Sequence, residues 1–338
     1  MQSKNYEETT LLYVLTKMLG VDIINADCQD AQLYLQGGMS GVRLITGEAE
    51  TIDGEKLPYK VILKVQERRR PPSDPDSWTR EYKIYASDFY KNEIFDEKVR
   101  MLKCYHAEFS NDSYSLWLEY ADGVTKKALT LNNLEYIAEK FGRFQGRLCS
   151  QPELLKYTDC LYEGGFVEKY YAYQSSVDYG YLCSEQCDLP NHLKQMLLDA
   201  DNNRETIFRK FKQFPSVLYH GDFYISNIIL KNDEVILIDW GDGAGWGYIG
   251  EDIANLIVDN IDIKYFNEYY RRIVPAYLKG LSEYMDTSGI DGLYFQKMII
   301  IRSGYDFLRE YRHAQSPEVK NEQITALQQI YDMKKIKT

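Results

Sequence analysis

Between Leu218 and Leu256 the chain reads LYHGDFYISNIILKNDEVILIDWGDGAGWGYIGEDIANL, and this stretch leaves little freedom of fold. Its apolar residues alternate with turn residues in the manner of one hairpin over 228–238. Asn227 stands at the entrance of that hairpin and Asp239 at its exit, so antiparallel pairing returns the two to one end. Asp222 lies five residues before Asn227. Three oxygen-bearing side chains thus stand in a fixed order within one short stretch. Loop acids that serve only turns and caps have no need of a strand that delivers the last of them.

Order and spacing of this kind suit phosphoryl transfer. Its transition state needs a carboxylate at the acceptor hydroxyl and oxygen ligands for Mg²⁺, with little covalent work left to the protein. His220-Gly221-Asp222-x4-Asn227 followed by Ile238-Asp239-Trp240 resembles the signature of the aminoglycoside phosphotransferase and choline kinase-like small-molecule kinases. Gly250-Glu251-Asp252-Ile253-Ala254 is similar to the acidic segment that follows in that family. The resemblance implies an α+β, two-lobed protein-kinase-like fold, ATP as donor and Mg²⁺ as cofactor. It assigns Asp222 to the acceptor hydroxyl and Asn227 and Asp239 to the metal. Ser226 departs from the glycine often found before that asparagine. His220 reads as a residue that packs the loop.

The order of elements agrees. Strand patterns dominate the first third: 42–51, the Asp53-Gly54 turn, 59–66, then 101–109 and 113–120 joined at Asn111-Asp112. An N-terminal amphipathic helix precedes them, and 77–90 has helical spacing. From about residue 130 the pattern turns helical, with stripes at 134–148, 193–211, 265–285 with a kink expected at Pro275, 294–311 and 320–333. The expected division is an N-terminal nucleotide-binding lobe at 1–120 and a catalytic, acceptor-binding helical lobe at 121–338.

Lys64 sits inside the apolar strand pattern YKVILKVQ, and Glu81 follows 17 residues later near the start of a helix. A strand lysine held by a helix glutamate is the phosphate-binding pair of kinases. An edge-strand lysine and a first-turn acid explain the same residues without a nucleotide. Gly37-Gly38-Met39-Ser40-Gly41 lies between extended segments, where backbone amides can approach phosphate. It resembles the Gly-Gly-Met-Ser/Thr turn of some choline kinases. In 116–121 (LWLEYA) the resemblance implies that the Glu119 carbonyl and the Ala121 amide read the adenine.

A net charge of −11 argues against a nucleic-acid partner and favours cationic small molecules. No apolar run spans a bilayer, and six scattered cysteines suit a reducing cytoplasm. Cys183, Cys187 and His192 lack the spacing and the fourth ligand of a zinc site. From Asp239 to Asp262 there are six acids and no Lys or Arg, with Trp240, Trp246 and Tyr248 among them. The acceptor is therefore expected to be a hydroxylated, amine-bearing small molecule touched by Trp240, Asp242, Trp246 and Asp252. An aminoglycoside or amino sugar is the first expectation and a choline- or ethanolamine-type amino alcohol the second. Asp252 reads equally as a helix cap, and Glu251 more so. A protein kinase is disfavoured, because only 13 residues separate Asp239 from Asp252 and no Ala-Pro-Glu follows. A non-catalytic binding protein would have lost one of Lys64, Asp222, Asn227 or Asp239. The chain is expected to act as a monomer or homodimer.

Overall fold

In the computed structural model, the described residues are 8–32, 41–68, 77–87, 94–95, 98–151, 153, 161, 165–241, 243–258 and 265–333. They form two compact units, 1–92 with 101–122, and 93–100 with 123–338. The break at Asp122 lies two residues beyond the expected end of the first lobe. The segment 93–100 goes with the second unit, because the backbone of Lys98 pairs with Val235 (2.7 Å).

The first unit is built on an antiparallel sheet. Its strands are β1 (Ile23–Ala26), β2 (Gln29–Gln32), β3 (Gly41–Thr51), β4 (Lys56–Glu67), β6 (Cys104–Phe109) and β7 (Ser113–Glu119). They run in the order β1-β3-β4-β7-β6, with β2 also pairing β3. Tyr59, Val61 and Leu63 alternate along β4 and meet Leu11, Val14 and Leu15 of α1 (Glu8–Leu19) in the core. Lys64 is one residue out of that phase and so points to the opposite face. Helix α2 is shorter than expected, Arg80–Ala86 after a 3-10 turn at Ser77–Thr79. The run expected as one strand over 101–109 is two, β5 (Val99–Met101) and β6, which belong to different sheets.

In the second unit, β8 (Val124–Thr125), β10 (Ile228–Lys231) and β11 (Glu234–Leu237) form a sheet with β5 at its edge, in the order β5-β11-β10-β8. A separate pair joins β9 (Val217–Tyr219) to β12 (Gly245–Gly247). The helices are α3 (Leu131–Cys149), α4 (Phe166–Cys183), α5 (Asn191–Asn202), α6 (Arg204–Phe211), α7 (Glu251–Val258), α8 (Phe266–Leu281), α9 (Gly292–His313) and α10 (Pro317–Asp332). Thr130 caps α3 in a capping box with Asn133. Helices α3 and α8 cross so closely that a Cβ on Gly142 would lie 2.1 Å from the Tyr277 carbonyl, and one on Gly280 2.0 Å from that of Glu139. Only glycine fits at either position, and the buried Gln145 and Tyr277 meet across this crossing at 2.6 Å.

Two helical expectations change. The stripe at 193–211 is two helices, α5 and α6, separated at Asn203. Helix α8 continues through Pro275 as one helix. Helix α4, which carries no apolar stripe, was not expected. No described helix is long and apolar enough to cross a membrane, and the described residues include no metal-holding cluster of three or more His, Cys, Asp or Glu.

Candidate functional site

The second unit holds the three residues singled out first. Strand β9 is fully buried and delivers the chain to His220. Gly221 then turns it with φ +84°, and a Cβ there would sit 2.6 Å from the backbone of Gly243. Only glycine combines that φ with that contact. Phe223, also buried, stacks on Phe141 of α3 with centroids 4.2 Å apart, so the half-buried Asp222 is anchored directly beside a core ring.

The Asn227 amide nitrogen donates to Asp222 twice, to Oδ2 at 2.7 Å and to the carbonyl at 3.0 Å. That use of the nitrogen turns Oδ1 into the atom left for a hard cation. Across the hairpin Ile228 pairs with Leu237, and the Ile238 amide donates to the Asn227 carbonyl at 3.0 Å. Asp239 follows at once, in the left-handed region with φ +63°. Aspartate tolerates that region better than most residues, yet its cost is retained next to the two other site residues. Asn227 Oδ1 and the Asp239 carboxylate are oxygen donors of the kind that would suit a hard divalent cation.

His220 is engaged on both ring nitrogens. Nε2 faces the Ile238 carbonyl at 3.0 Å, and Nδ1 accepts from the Asp222 amide at 3.3 Å. With Nδ1 accepting, the ring proton falls on Nε2, and the imidazole ties the Asp222 amide to the residue that follows β11.

Asp252, at the start of α7, is 2% exposed. Its Oδ2 accepts from the His220 amide at 2.9 Å and its Oδ1 from the Gly221 amide at 3.0 Å. Gln145 adds a longer contact to Oδ2 at 3.4 Å and donates to the Leu218 carbonyl at 2.7 Å. Tyr277 in turn donates to Gln145 at 2.6 Å. The 220–222 turn is thus held by a buried carboxylate. Burial pushes Asp252 up to about 7, against the pull of the two amides. Glu251 beside it is pushed up to about 8 by burial and by Asp252, and accepts from the Tyr248 amide at 3.3 Å.

These facts correct the acceptor expectation. Asp252 spends its carboxylate on the loop, neither capping its own helix nor facing an acceptor. Trp240 is fully buried, donates to the Leu237 carbonyl at 3.2 Å and packs on His220. Trp246 lies in β12 opposite Leu218 at 7% exposure. Asp242, Asp259 and Asp262 fall outside the described residues. The tryptophans and the acids of 251–252 are core and scaffold.

In the first unit, Lys64 Nζ and Glu81 Oε2 are 2.6 Å apart, with side chains only 9% and 2% exposed. Tyr114 donates to the same carboxylate oxygen at 3.2 Å. An edge-strand lysine in solvent does not describe this pair, because β4 is flanked by β3 and β7. Gly41 opens β3, while Gly37, Gly38 and Ser40 lie outside the described residues. Glu119 closes β7 and accepts from the Lys103 amide at 3.1 Å; Ala121 follows two residues on.

The profile of the phosphotransferase enzyme family (APH) matches residues 53–287, from the β3–β4 turn past the end of α8. The chain belongs to that family. It is accordingly a small-molecule phosphotransferase with a kinase-like α+β fold. Among solved structures, choline kinase from Cryptosporidium parvum is similar at 13% identity and TM-score 0.54, over 91% of this chain and 89% of that one. Plasmodium vivax ethanolamine kinase is similar at 18% identity and TM-score 0.51, over 96% and 89%. The GDP complex of aminoglycoside 2'-phosphotransferase-IIIa is similar at 12% identity and TM-score 0.53, over 97% and 98%. At such identities these likenesses carry the fold alone. No curated protein sequence matches the chain. Within the phosphotransferase family pattern, sequence reasoning missed the Asp252 clasp, since its partners are backbone amides some thirty residues away.

Proposed function

We propose that the protein transfers the γ-phosphate of ATP, with Mg²⁺, to a hydroxyl of a small amine-bearing acceptor in the cytoplasm. The Asp222–Asn227 contact at 2.7 Å supports this reading, because a carboxylate and a side-chain amide share one turn. Asp222 accepts the hydrogen bond of the acceptor hydroxyl and aims its oxygen in line with the phosphorus. Asn227 Oδ1 and the Asp239 carboxylate are the groups that would hold Mg²⁺, which when bound neutralises charge on the phosphate oxygens. Lys64, held by Glu81, is assigned to the α- and β-phosphates, the 37–41 turn to phosphate amide contacts, and the Glu119 carbonyl and Ala121 amide to the adenine.

A net charge of −11 supports an acceptor with positive charge, which a negative field draws in. Aminoglycoside-type sugars and amino alcohols both meet that description. Monomeric or homodimeric action is equally compatible with it. The test is ADP release from ATP·Mg²⁺ across a panel of hydroxylated amines and their neutral counterparts. Turnover that requires Mg²⁺ and an amine-bearing alcohol is expected; turnover confined to neutral or anionic acceptors would contradict the acceptor class.

A further inference from the structure

Helices α5, α6, α9 and α10 enclose a cavity of about 570 Å³. That size lies within the ~300–1,000 Å³ of small-molecule sites. Met196, Ala200, Ile207 and Ile300 supply its apolar lining. No residue of the 220–222 turn, of β10, of β11 or of α7 lines it, so it is separate from the phosphoryl-transfer residues.

The polar lining has one property in common: its side-chain N–H groups are already spent. Gln296, 7% exposed on α9, donates Nε2 to the carbonyls of Ile330 and Tyr331 in the last turn of α10, at 2.7 and 3.2 Å. Gln195 donates Nε2 to Asp199 Oδ1 at 2.8 Å, and Asn203 donates Nδ2 to the Asp199 carbonyl at 2.8 Å. Each of those partners can only accept, so each carboxamide has one orientation and its oxygen is left for a ligand. His192 obeys the same logic. Gln328 gives its Nε2 to Asp332 at 2.8 Å, so its Oε1 accepts from His192 Nε2, 2.6 Å away, and His192 Nδ1 becomes an acceptor. Tyr331 stands edge-on to the His192 ring, with centroids 5.0 Å apart, and adds an aromatic plate to the lining.

Three carboxamide oxygens and an imidazole nitrogen thus make a wall of oriented acceptors, and a ligand that fits it presents several donors. Lys297 and Asp199 also line the cavity, and their opposite charges leave no net charge to select an ion. A carboxylate or phosphate would meet the wall acceptor against acceptor. Hydroxyl groups suit it, since each donates to one oxygen and can still accept from Lys297 or Thr206. The C–H face of a sugar ring suits Tyr331 and the aliphatic lining.

We propose that the cavity between α5, α6, α9 and α10 is a second binding site, for a neutral polyhydroxylated ligand of one or two sugar rings. It goes beyond the phosphotransferase reading and holds or fails independently of it.

The test is calorimetric titration of the full chain with glucose, maltose and sucrose, beside glucosamine and glucuronate as charged counterparts. At least one neutral sugar is expected to bind with Kd below about 10 mM, and glucuronate more weakly than glucose. Gln195→Ala and Asn203→Ala each remove one acceptor from an exposed position, and each should weaken that sugar about two- to tenfold, the loss of one neutral hydrogen bond. Tyr331→Ala should weaken it as well, by removing the plate. Asp222→Asn should bind the sugar as wild type does. No neutral sugar bound below about 10 mM, tighter binding of glucosamine or glucuronate than of glucose, or wild-type affinity in all three cavity variants would each overturn the proposal. Loss of sugar binding in Asp222→Asn would place the sugar at the transfer residues and overturn the separate site.

Discussion

Replacing Asp252 with Asn changes one oxygen to NH₂ and nothing in size, yet the buried geometry makes the change expensive. The two carboxylate oxygens each accept a backbone amide, from His220 at 2.9 Å and Gly221 at 3.0 Å. An asparagine oxygen can keep one of these bonds. Its nitrogen then faces the other N–H, donor against donor, at a residue 2% exposed. A hydrogen bond to a charged group contributes ~1.5–3 kcal/mol, and a buried orphan donor costs about 1–3 kcal/mol. Relief from burying a charge offsets part of this, so the net loss is about 2–4 kcal/mol. Urea unfolding at pH 8, followed by tryptophan fluorescence, reads the loss. Trp240 packs on His220 at 4.5 Å and reports this region. The kcat should fall with it, since the loop presents Asp222, while ATP affinity stays near wild type. A destabilisation below ~0.5 kcal/mol, within the range of an ordinary surface substitution, would refute the clasp.

Other outcomes follow from the same geometry. Lys64→Ala or Glu81→Ala breaks a buried pair and should cost about 3–5 kcal/mol each, with the double mutant losing well under the sum; full additivity in that cycle would show that the side chains do not couple. Gly221→Ala meets both a positive φ and the Gly243 backbone at 2.6 Å, so urea unfolding should show clear destabilisation and turnover should drop, with wild-type values for both contradicting the loop geometry. Glu251, raised from 4.5 to about 8, binds a proton in the fold that the unfolded chain releases, so its contribution to stability declines as pH rises from about 4.5 through 8. Glu251→Gln should flatten that decline in a pH series of unfolding midpoints; an unchanged slope would locate the proton elsewhere.

The parts legible in sequence were those written in local order. Asp222, Asn227 and Asp239 are bound to one hairpin, and hairpin register follows from alternation over a dozen residues. Lys64 and Glu81 were legible because a charge inside an apolar strand demands a partner. Asp252 misled as an acceptor contact because composition reports charge but not burial: it is 2% exposed. Helix α4 escaped because its buried face is polar, with Gln174, Ser175 and Asp178 turned inward toward α9 and α5, and an apolar stripe is what periodicity detects. The α5–α6 break at Asn203 carries neither Gly nor Pro, so no local signal marked it.

The central claim, phosphoryl transfer through Asp222, is tested most directly by Asp222→Asn. The variant keeps the shape, and its side-chain oxygen can still accept from Asn227 Nδ2, now at 2.7 Å from Oδ2. Side by side with wild type, one measures kcat for ADP release with a competent acceptor and the Kd for AMP-PNP·Mg²⁺. A fall in kcat of about 10²-fold or more with Kd within a few-fold is predicted, because the group removed acts on the acceptor hydroxyl and not on the nucleotide. An Asp222→Asn enzyme that turns over at the wild-type rate would contradict the account.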